Sequence, residues 1–200
     1  MSDEIWRFVL VLGASGIMPG PDIVAILARS LAGGWRASLF LIAGIVLGHV
    51  CWMLAIAMGL TMVLDRFGVL FIVIRVAGVI YLLWMAWSLW HTNPSQLNDV
   101  KARADKGRGV LTGLAIALGN PNAMVFFGAI MPLLVDLETL RGQGLLWLLA
   151  ASALTLVVIF LIWSLIGNQI HKHTATRHLR RLYRVTAIVL VMTCLWVLVS

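Results

Sequence analysis

Long apolar runs separated by short polar connections dominate the pattern of hydrophobic and polar positions along this chain. Six runs are long enough for a helix to cross the hydrocarbon core of a bilayer, which takes about 20 apolar residues. Their approximate bounds are 5–27, 37–60, 69–90, 110–135, 145–166 and 185–199. The pattern therefore predicts an all-α integral membrane protein with six transmembrane helices in one transmembrane domain spanning residues 1–200.

The composition excludes a water-soluble domain. Hydrophobic residues make up 62% of the chain and charged residues 12%, whereas a soluble domain carries about 25% charged residues. The mean hydropathy of +1.00 leads to the same conclusion. A formal net charge of +7 would suggest nucleic-acid binding in a soluble protein. Because the chain has no RNP motif and no zinc-ligand spacing, no nucleic-acid partner is expected.

The basic residues alternate between connections. Eleven lie in the first, third and fifth connections, and three lie in the N-terminus and the even-numbered connections. Because lysine and arginine concentrate in cytoplasmic loops, this asymmetry predicts cytoplasmic odd-numbered connections and both termini outside. The basic connections are expected to contact anionic lipid at the cytoplasmic face. Asp3 and Glu4 have the wrong charge for a signal peptide, so the first span is expected to be retained.

A polar linker at 92–108 divides the chain into two halves, at about 1–91 and 109–200. Each half contains three predicted spans. Because three is an odd number, the second half must be inverted in the membrane relative to the first. The predicted architecture is therefore two inverted three-helix repeats joined by a cytoplasmic linker.

Two predicted spans contain helix-breaking motifs at corresponding positions. Span one carries Pro19-Gly20-Pro21-Asp22, and span four carries Gly119-Asn120-Pro121-Asn122. Proline removes a backbone donor and glycine adds backbone freedom, so both helices are expected to open there. Matched, interrupted helices in two inverted halves indicate a transporter binding site at the membrane midplane. The alternative is a pair of proline kinks that serve helix packing alone.

Two charged residues fall inside predicted spans. Asp22 lies about four-fifths of the way through span one, where a carboxylate costs about 2.5–3.5 kcal/mol. It is a candidate to bind a substrate ammonium group or to carry a coupling proton, and the alternative is that it caps the second half-helix. Arg75, inside span three, is a candidate ligand for a substrate carboxylate, and the alternative is that it extends to the membrane surface.

Span two contains a small-residue motif followed by a histidine. Gly44 and Gly48 have GxxxG spacing, which lets helices approach closely, and we expect span two to contact a broken helix through them. His49 follows directly. It is a candidate proton relay near neutral pH, and the alternative is a polar residue that serves packing only.

Four motifs of this chain match a known family. They are Pro19-Gly20-Pro21-Asp22, Gly44-x-x-x-Gly48, Gly78-x-x-Tyr81-Leu82 and Asn120-Pro121. On these motifs the whole chain resembles the LysE/RhtB superfamily of amino-acid exporters, of the threonine, homoserine and lysine efflux type. The resemblance implies a multi-pass bacterial inner-membrane carrier without a cofactor, which exports amino acids or close derivatives by proton antiport. The family commonly has lysine after Asn-Pro, whereas Asn122 offers hydrogen bonding without a positive charge.

Three other classes of function stay open beside export. A small-solute channel also uses paired half-helices with Asn-Pro motifs. A membrane-embedded enzyme is disfavoured, because the chain has no Ser-His-Asp arrangement, no HExxH motif and no paired metal-binding acids. A structural scaffold would not need matched helix breaks. No metal site is expected, and a homodimer that pairs through glycine faces is a further expectation.

Overall fold

The computed structural model describes four continuous segments, residues 2–17, 20–58, 106–136 and 142–173. It also describes separate positions, namely 76, 79, 80, 83, 84, 86, 87, 90, 91, 181, 184–189, 191, 192, 194 and 195. Most of the predicted third and sixth spans, and most of the predicted linker at 92–108, lie outside the described residues. The four continuous described segments therefore correspond to the predicted first, second, fourth and fifth spans.

Every element in the four continuous segments is helical. In chain order these elements are α1 Ser2–Ile17, α2 Pro21–Gly33, α3 Trp35–Ala57, α4 Lys106–Leu118, α5 Pro121–Val125, a π-helix Phe126–Ile130, α6 Met131–Leu134 and α7 Gln143–His173. The all-helical prediction is confirmed for this part of the chain. Helix α4 begins at Lys106, inside the stretch that the sequence assigned to the linker.

The described residues contain two helices, α3 and α7, that are long and apolar enough to cross a membrane unaided. Two bent pairs qualify if each pair is taken as one span, so the candidate spans number up to four. The α1–α2 pair bends by 55°, and the pair formed by α4 with α5–α6 bends by 58°. Both bends fall at the proline motifs, because the missing proline donors and the glycine interrupt the helical hydrogen bonds there.

Helix α7 exposes large apolar side chains along its length. Leu146, Trp147, Leu154 and Ile162 are each more than half exposed. A water-soluble helix of this composition would bury such a face, whereas lipid solvates it without cost. The exposed face of α7 agrees with the prediction that lipid is the solvent.

Two span boundaries differ from the sequence prediction. The first span extends past its predicted end at Leu27 to Gly33, so Asp22 lies about two-thirds of the way along the bent pair and not four-fifths. The fifth span continues past Ile166 to His173. Both errors have one cause, since hydropathy falls where polar residues begin although the helix does not end there. Arg29, for example, stays helical and its Nε donates to the Ala37 carbonyl at 3.3 Å.

Helices α3 and α4 run in the same direction and approach each other through glycines. A Cβ atom added to Gly44 would collide with the Val110 carbonyl oxygen, and one on Gly48 would lie 2.6 Å from the Ala117 Cβ. Farther along, the Trp52 Nε1 donates to the Ala117 carbonyl at 3.2 Å. The expected contact of the second span with a broken helix is confirmed, and its partner is α4. These glycines are therefore used within the chain.

A buried polar cluster ties the α2–α3 turn to the last turns of α7. The Ser30 hydroxyl donates to the Ser164 carbonyl, and the Ser38 and Ser164 hydroxyls are 2.7 Å apart. The backbone N–H of Trp35 donates to the Asn168 Oδ1 at 3.4 Å. Trp35 of α3 thus contacts Asn168 of α7, and Ser38, farther along α3, contacts the earlier residue Ser164. Helices α3 and α7 are therefore antiparallel.

Helix α7 instead runs in the same direction as the first bent pair. Gly13 lies opposite Thr155, and Ser30 lies opposite Gly167. The chain reverses between α2 and α3 at Gly34, whose φ of 77° favours glycine. Since α4 is parallel to α3, the two bent pairs run in opposite directions.

The close approach of α3 and α4 can be tested by adding one methyl group. We expect Gly44→Ala to lower the free energy of unfolding by about 1–3 kcal/mol, because the new Cβ overlaps the Val110 carbonyl. Gly13→Ala is the matched control, since its Cβ would meet only the Thr155 Cγ2, at 3.6 Å. That control should be neutral or stabilising, by up to about 1 kcal/mol. Thermal unfolding in detergent measures both, and equal midpoints for the two variants would contradict the contact.

Candidate functional site

Three buried polar side chains from three different elements meet at one point. Asp22, His49 and Asn120 are 7%, 6% and 4% exposed, respectively. The His49 Nε2 lies 2.9 Å from the Asp22 Oδ2, and the Asn120 Nδ2 donates to the same oxygen at 3.0 Å. The two helix breaks that the sequence predicts are thus joined through a carboxylate.

Asp22 occupies the first turn of α2, directly after the break in the first bent pair. Gly20 is the N-cap residue, and its carbonyl accepts the first hydrogen bond of the helix, from the Val24 N–H at 3.0 Å. No side chain caps this helix end, so the alternative in which Asp22 serves as the cap is wrong. Its Oδ2 accepts a hydrogen bond from the Asn120 Nδ2 and lies next to the His49 Nε2, and its Oδ1 is buried without a hydrogen-bond partner among the described residues.

Asn120 is held in its orientation by the second helix break. It is the N-cap residue of α5, and its Oδ1 accepts a hydrogen bond from the Asn122 N–H at 3.0 Å. Pro121 at the first helical position needs no hydrogen bond on its nitrogen, which suits the start of a helix. With its oxygen bound to the backbone, the Asn120 amide turns its Nδ2 toward Asp22. The Asn120 side chain therefore has two roles: its oxygen caps the start of α5, and its nitrogen donates to Asp22.

His49 is positioned by α3, one residue after the glycine that contacts α4. Its ring lies beside two aromatic rings, at centroid distances of 5.5 Å from Phe127 and 6.1 Å from Phe160. Its Nε2 faces Asp22, while its Nδ1 is buried without a hydrogen-bond partner. Among the described residues, one ring nitrogen of His49 therefore has a partner and the other has none, and both its relay role and its packing role stay predictions.

A cavity of about 450 Å³ opens beside the three polar residues. It lies between the end of α1, the start of α2, α5 with the π-helix, and the middle of α7. Its lining residues are Leu12, Ser15, Gly16, Gly20, Asp22, Ile23, His49, Asn120, Asn122, Ala123, Val125, Phe126, Phe127, Ile130, Leu156 and Phe160. Most of the lining is apolar, and the polar groups gather at the end where the two helix breaks meet.

The π-helix shapes one wall of the cavity. Phe126 and Phe127 are adjacent in sequence, yet both are buried and both line the cavity. Their rings meet edge to face at a centroid distance of 5.3 Å. A π-helical turn inside an α-helix is uncommon and often lies at a functional site. The sequence analysis did not predict this element.

The structure brings together five of the residues that the sequence proposed as a site. Gly20, Asp22, His49, Asn120 and Asn122 all line the cavity. Of the other proposed residues, Pro21 and Pro121 begin the two half-helices, and Gly44 and Gly48 lie on the α3–α4 contact. Pro19 and Arg75 lie outside the described residues.

The sequence did not identify the apolar residues of the cavity, such as Leu12, Phe126, Phe127, Leu156 and Phe160. In a membrane protein an apolar residue that faces a cavity looks the same in sequence as one that faces lipid. The only available signal was proximity to the Asn-Pro motif, which would have reached Phe126 and Phe127.

Comparison with known proteins gives one family. The family model described as "LysE type translocator" matches residues 14–200. Threonine efflux proteins of Salmonella typhi and Escherichia coli K12 are each 28% identical over 123 residues, which is 58% of this chain and 59% of theirs. A leucine efflux protein of Klebsiella pneumoniae is 28% identical over 167 residues, covering 80% of this chain and 77% of its own. The match thus spans less than two thirds of the threonine efflux proteins. No solved structure matches.

Access of water to the cavity can be tested with single cysteines. In a background with Cys51→Ala and Cys194→Ala, we expect Asn122→Cys to react with a charged thiol reagent, since Asn122 lines the cavity and is exposed. Ser152→Cys should stay unreacted, because Ser152 is fully buried in α7. Thiolates form readily only where water reaches them. Mass spectrometry follows the rate of labelling at each position. Equal rates at the two positions would contradict the presence of a water-accessible cavity at Asn122.

Proposed function

The chain belongs to the LysE type translocator family, and we propose that it is an inner-membrane secondary transporter that exports amino acids or close derivatives in exchange for protons. The single observation that carries this proposal is the buried carboxylate of Asp22, which joins the two helix breaks and has one oxygen without a partner. The named activities of its relatives, threonine and leucine efflux, support amino acids as the class of cargo.

The proposed architecture has six spans in two inverted halves, at about 1–91 and 109–200, joined by a cytoplasmic linker at 92–108. The opposed directions of the two bent pairs support the inversion. The first, third and fifth connections hold most of the basic residues, so they face the cytoplasm and anionic lipid, and both termini face outward. In this architecture Arg75, which lies in the third span, keeps its proposed role toward a substrate carboxylate.

Substrate binding in this proposal centres on Asp22. Its Oδ2 is held by Asn120 and His49, while its Oδ1 is left to accept a hydrogen bond from a substrate ammonium group. An unpartnered carboxylate oxygen inside a membrane protein is costly, so binding of a cation or a proton there is strongly favoured. The substrate carboxylate binds at the uncapped start of α2, where free N–H groups and the helix dipole attract negative charge.

Exchange follows because one site serves two cations in turn. A proton on the Asp22–His49 pair and an ammonium group at Asp22 compete for the same negative charge. Protonation from the outside therefore releases the amino acid outward, and loss of the proton to the cytoplasm restores the site. His49 acts as the partner that holds the carboxylate in place and shares its proton.

Alternating access needs the cavity to be open on one side and closed on the other. In the proposed topology the cavity lies on the outer side of Asp22, between the end of α1 and the π-helix. The buried cluster of Ser30, Ser38, Ser164 and Asn168 lies on the cytoplasmic side, where it holds the α2–α3 turn against α7. Opening toward the cytoplasm then requires that this cluster separate. The described arrangement corresponds to an outward-facing state.

The proposal is tested by uphill transport in everted membrane vesicles with an acidic lumen. We expect such vesicles to accumulate labelled leucine or threonine above the external concentration. Asp22→Asn should reduce accumulation to the level of vesicles that lack the protein, because the site can no longer exchange a proton. Asp3→Asn is the matched control, since Asp3 is exposed in the first turn of α1 and should leave accumulation unchanged.

The same assay separates the transporter from the alternative of a solute channel. A channel would equilibrate the labelled amino acid without accumulating it, with or without the pH gradient. Normal accumulation by correctly inserted Asp22→Asn protein would contradict the proposed mechanism. Immunodetection of the inserted protein in each vesicle preparation shows whether a difference in accumulation comes from a difference in expression level.

A further inference from the structure

We propose that this cavity selects amino acids with an apolar side chain of about the size of leucine, methionine or phenylalanine, in preference to threonine and to amino acids with charged side chains. This inference rests on the proposed function and adds the substrate class. The observations that carry it are the convergence of Asp22, His49 and Asn120 at one point of the cavity wall and the mostly apolar character of the other described lining residues.

The cavity has the size of a site for one small molecule. Its volume of about 450 Å³ lies in the lower part of the range of about 300–1,000 Å³ that ligand pockets occupy. The ionisable groups among its described lining residues are Asp22 and His49, and both lie at the polar end. Asn122 lies at the same end and offers an amide to the substrate carboxylate. In this proposal the polar residues of the cavity bind the amino and carboxylate groups that all amino acids share.

The remainder of the cavity is left for the side chain. Phe126 and Phe127 from the π-helix form one wall, and Leu156 and Phe160 from α7 form another. A charged side chain packed against these residues would lose hydration and would find no charged partner among the described lining residues except the Asp22–His49 pair, which is already used by the substrate ammonium group. An apolar side chain would instead replace water against rings and methyl groups, which is favourable in proportion to the area buried.

A hydroxyl group finds few partners in the apolar part. Ser15 supplies the hydroxyl there, and its Oγ already donates to the Leu12 carbonyl at 2.9 Å. The threonine hydroxyl would therefore lose hydrogen bonds to water and regain at most an acceptor on Ser15. Threonine also buries less apolar area than leucine. Both effects act in the same direction and favour leucine.

Leu156 is the residue best placed to set the length of the side chain that fits. It is 2% exposed, and its Cδ2 would lie 3.7 Å from a Cβ atom added to Gly16, so α7 and α1 meet at this point. Shortening Leu156 would enlarge the cavity on its α7 side, near Gly16. The cavity would then be too large for leucine and better suited to an aromatic side chain.

The test is a competition series with the intact protein in proteoliposomes under an imposed pH gradient. Labelled leucine and labelled threonine are each offered with unlabelled leucine, methionine, phenylalanine, threonine, lysine and glutamate. We expect the apparent affinity for leucine to exceed that for threonine by about tenfold or more, which is the effect of roughly one methylene group in an apolar pocket. Lysine and glutamate should not compete.

The variant Leu156→Ala should lower the apparent affinity for leucine relative to phenylalanine by about tenfold. Leu154→Ala is the matched control, because Leu154 lies on the same helix but is 66% exposed, and it should change neither value. If Leu156→Ala does not fold, Leu156→Val serves in its place, with a smaller shift in the same direction, because valine is shorter than leucine by one methylene group.

The outcomes distinguish this inference from the function on which it rests. Transport of threonine or lysine as readily as leucine would overturn the selectivity and leave amino-acid export intact. An unchanged leucine-to-phenylalanine ratio in folded Leu156 variants would also overturn it. Absence of gradient-driven transport for every amino acid would overturn the proposed function, and the inference with it.

Discussion

A carboxylate inside a membrane-spanning helix is the constraint on which the rest of this structure depends. Placing Asp22 at membrane depth costs about 2.5–3.5 kcal/mol on insertion scales, unless other groups hold the charge. The chain supplies those groups from α3 and from the start of α5, with contacts of 2.9 Å and 3.0 Å to one carboxylate oxygen. The other oxygen has no partner within the described part of the chain, and in the proposed function it receives the ammonium group or the proton.

The convergence on Asp22 requires helices to come closer than ordinary side chains allow. The glycines of α3 let its backbone approach α4, and the Trp52 indole holds the end of α4 by donating to the Ala117 carbonyl. Three residues after that carbonyl, Asn120 begins α5 and turns its amide toward Asp22. Together, these three features place the Asn120 amide within hydrogen-bond distance of Asp22. They are the glycines of α3, the Trp52 indole and the Asn-Pro break. If α3 and α4 did not approach each other this closely, the Asp22 carboxylate would lack the hydrogen bond from Asn120.

Local features of the sequence predicted the two helix breaks and the contact of the second span with a broken helix, and they singled out Asp22 and Asn120, which the structure brings together. They succeeded because proline, glycine and an intramembrane acid act on the backbone or the charge at their own positions. Pairings between distant segments were not accessible. Nothing local indicates that His49 lies against Asp22, or that Ser164 lies between Ser30 and Ser38. The ends of the first and fifth spans were predicted too early, at Leu27 and Ile166, since hydropathy marks the edge of the apolar region and not the end of a helix.

The central claim is that an amino acid and a proton compete for the carboxylate of Asp22. The most direct measurement is of proton release when a transported amino acid is added to purified protein in weakly buffered detergent solution. We expect release of roughly one proton for each amino acid bound, at a pH where the free site is protonated, because binding and protonation are linked. Saturable binding of the amino acid with no proton release at any pH would contradict it.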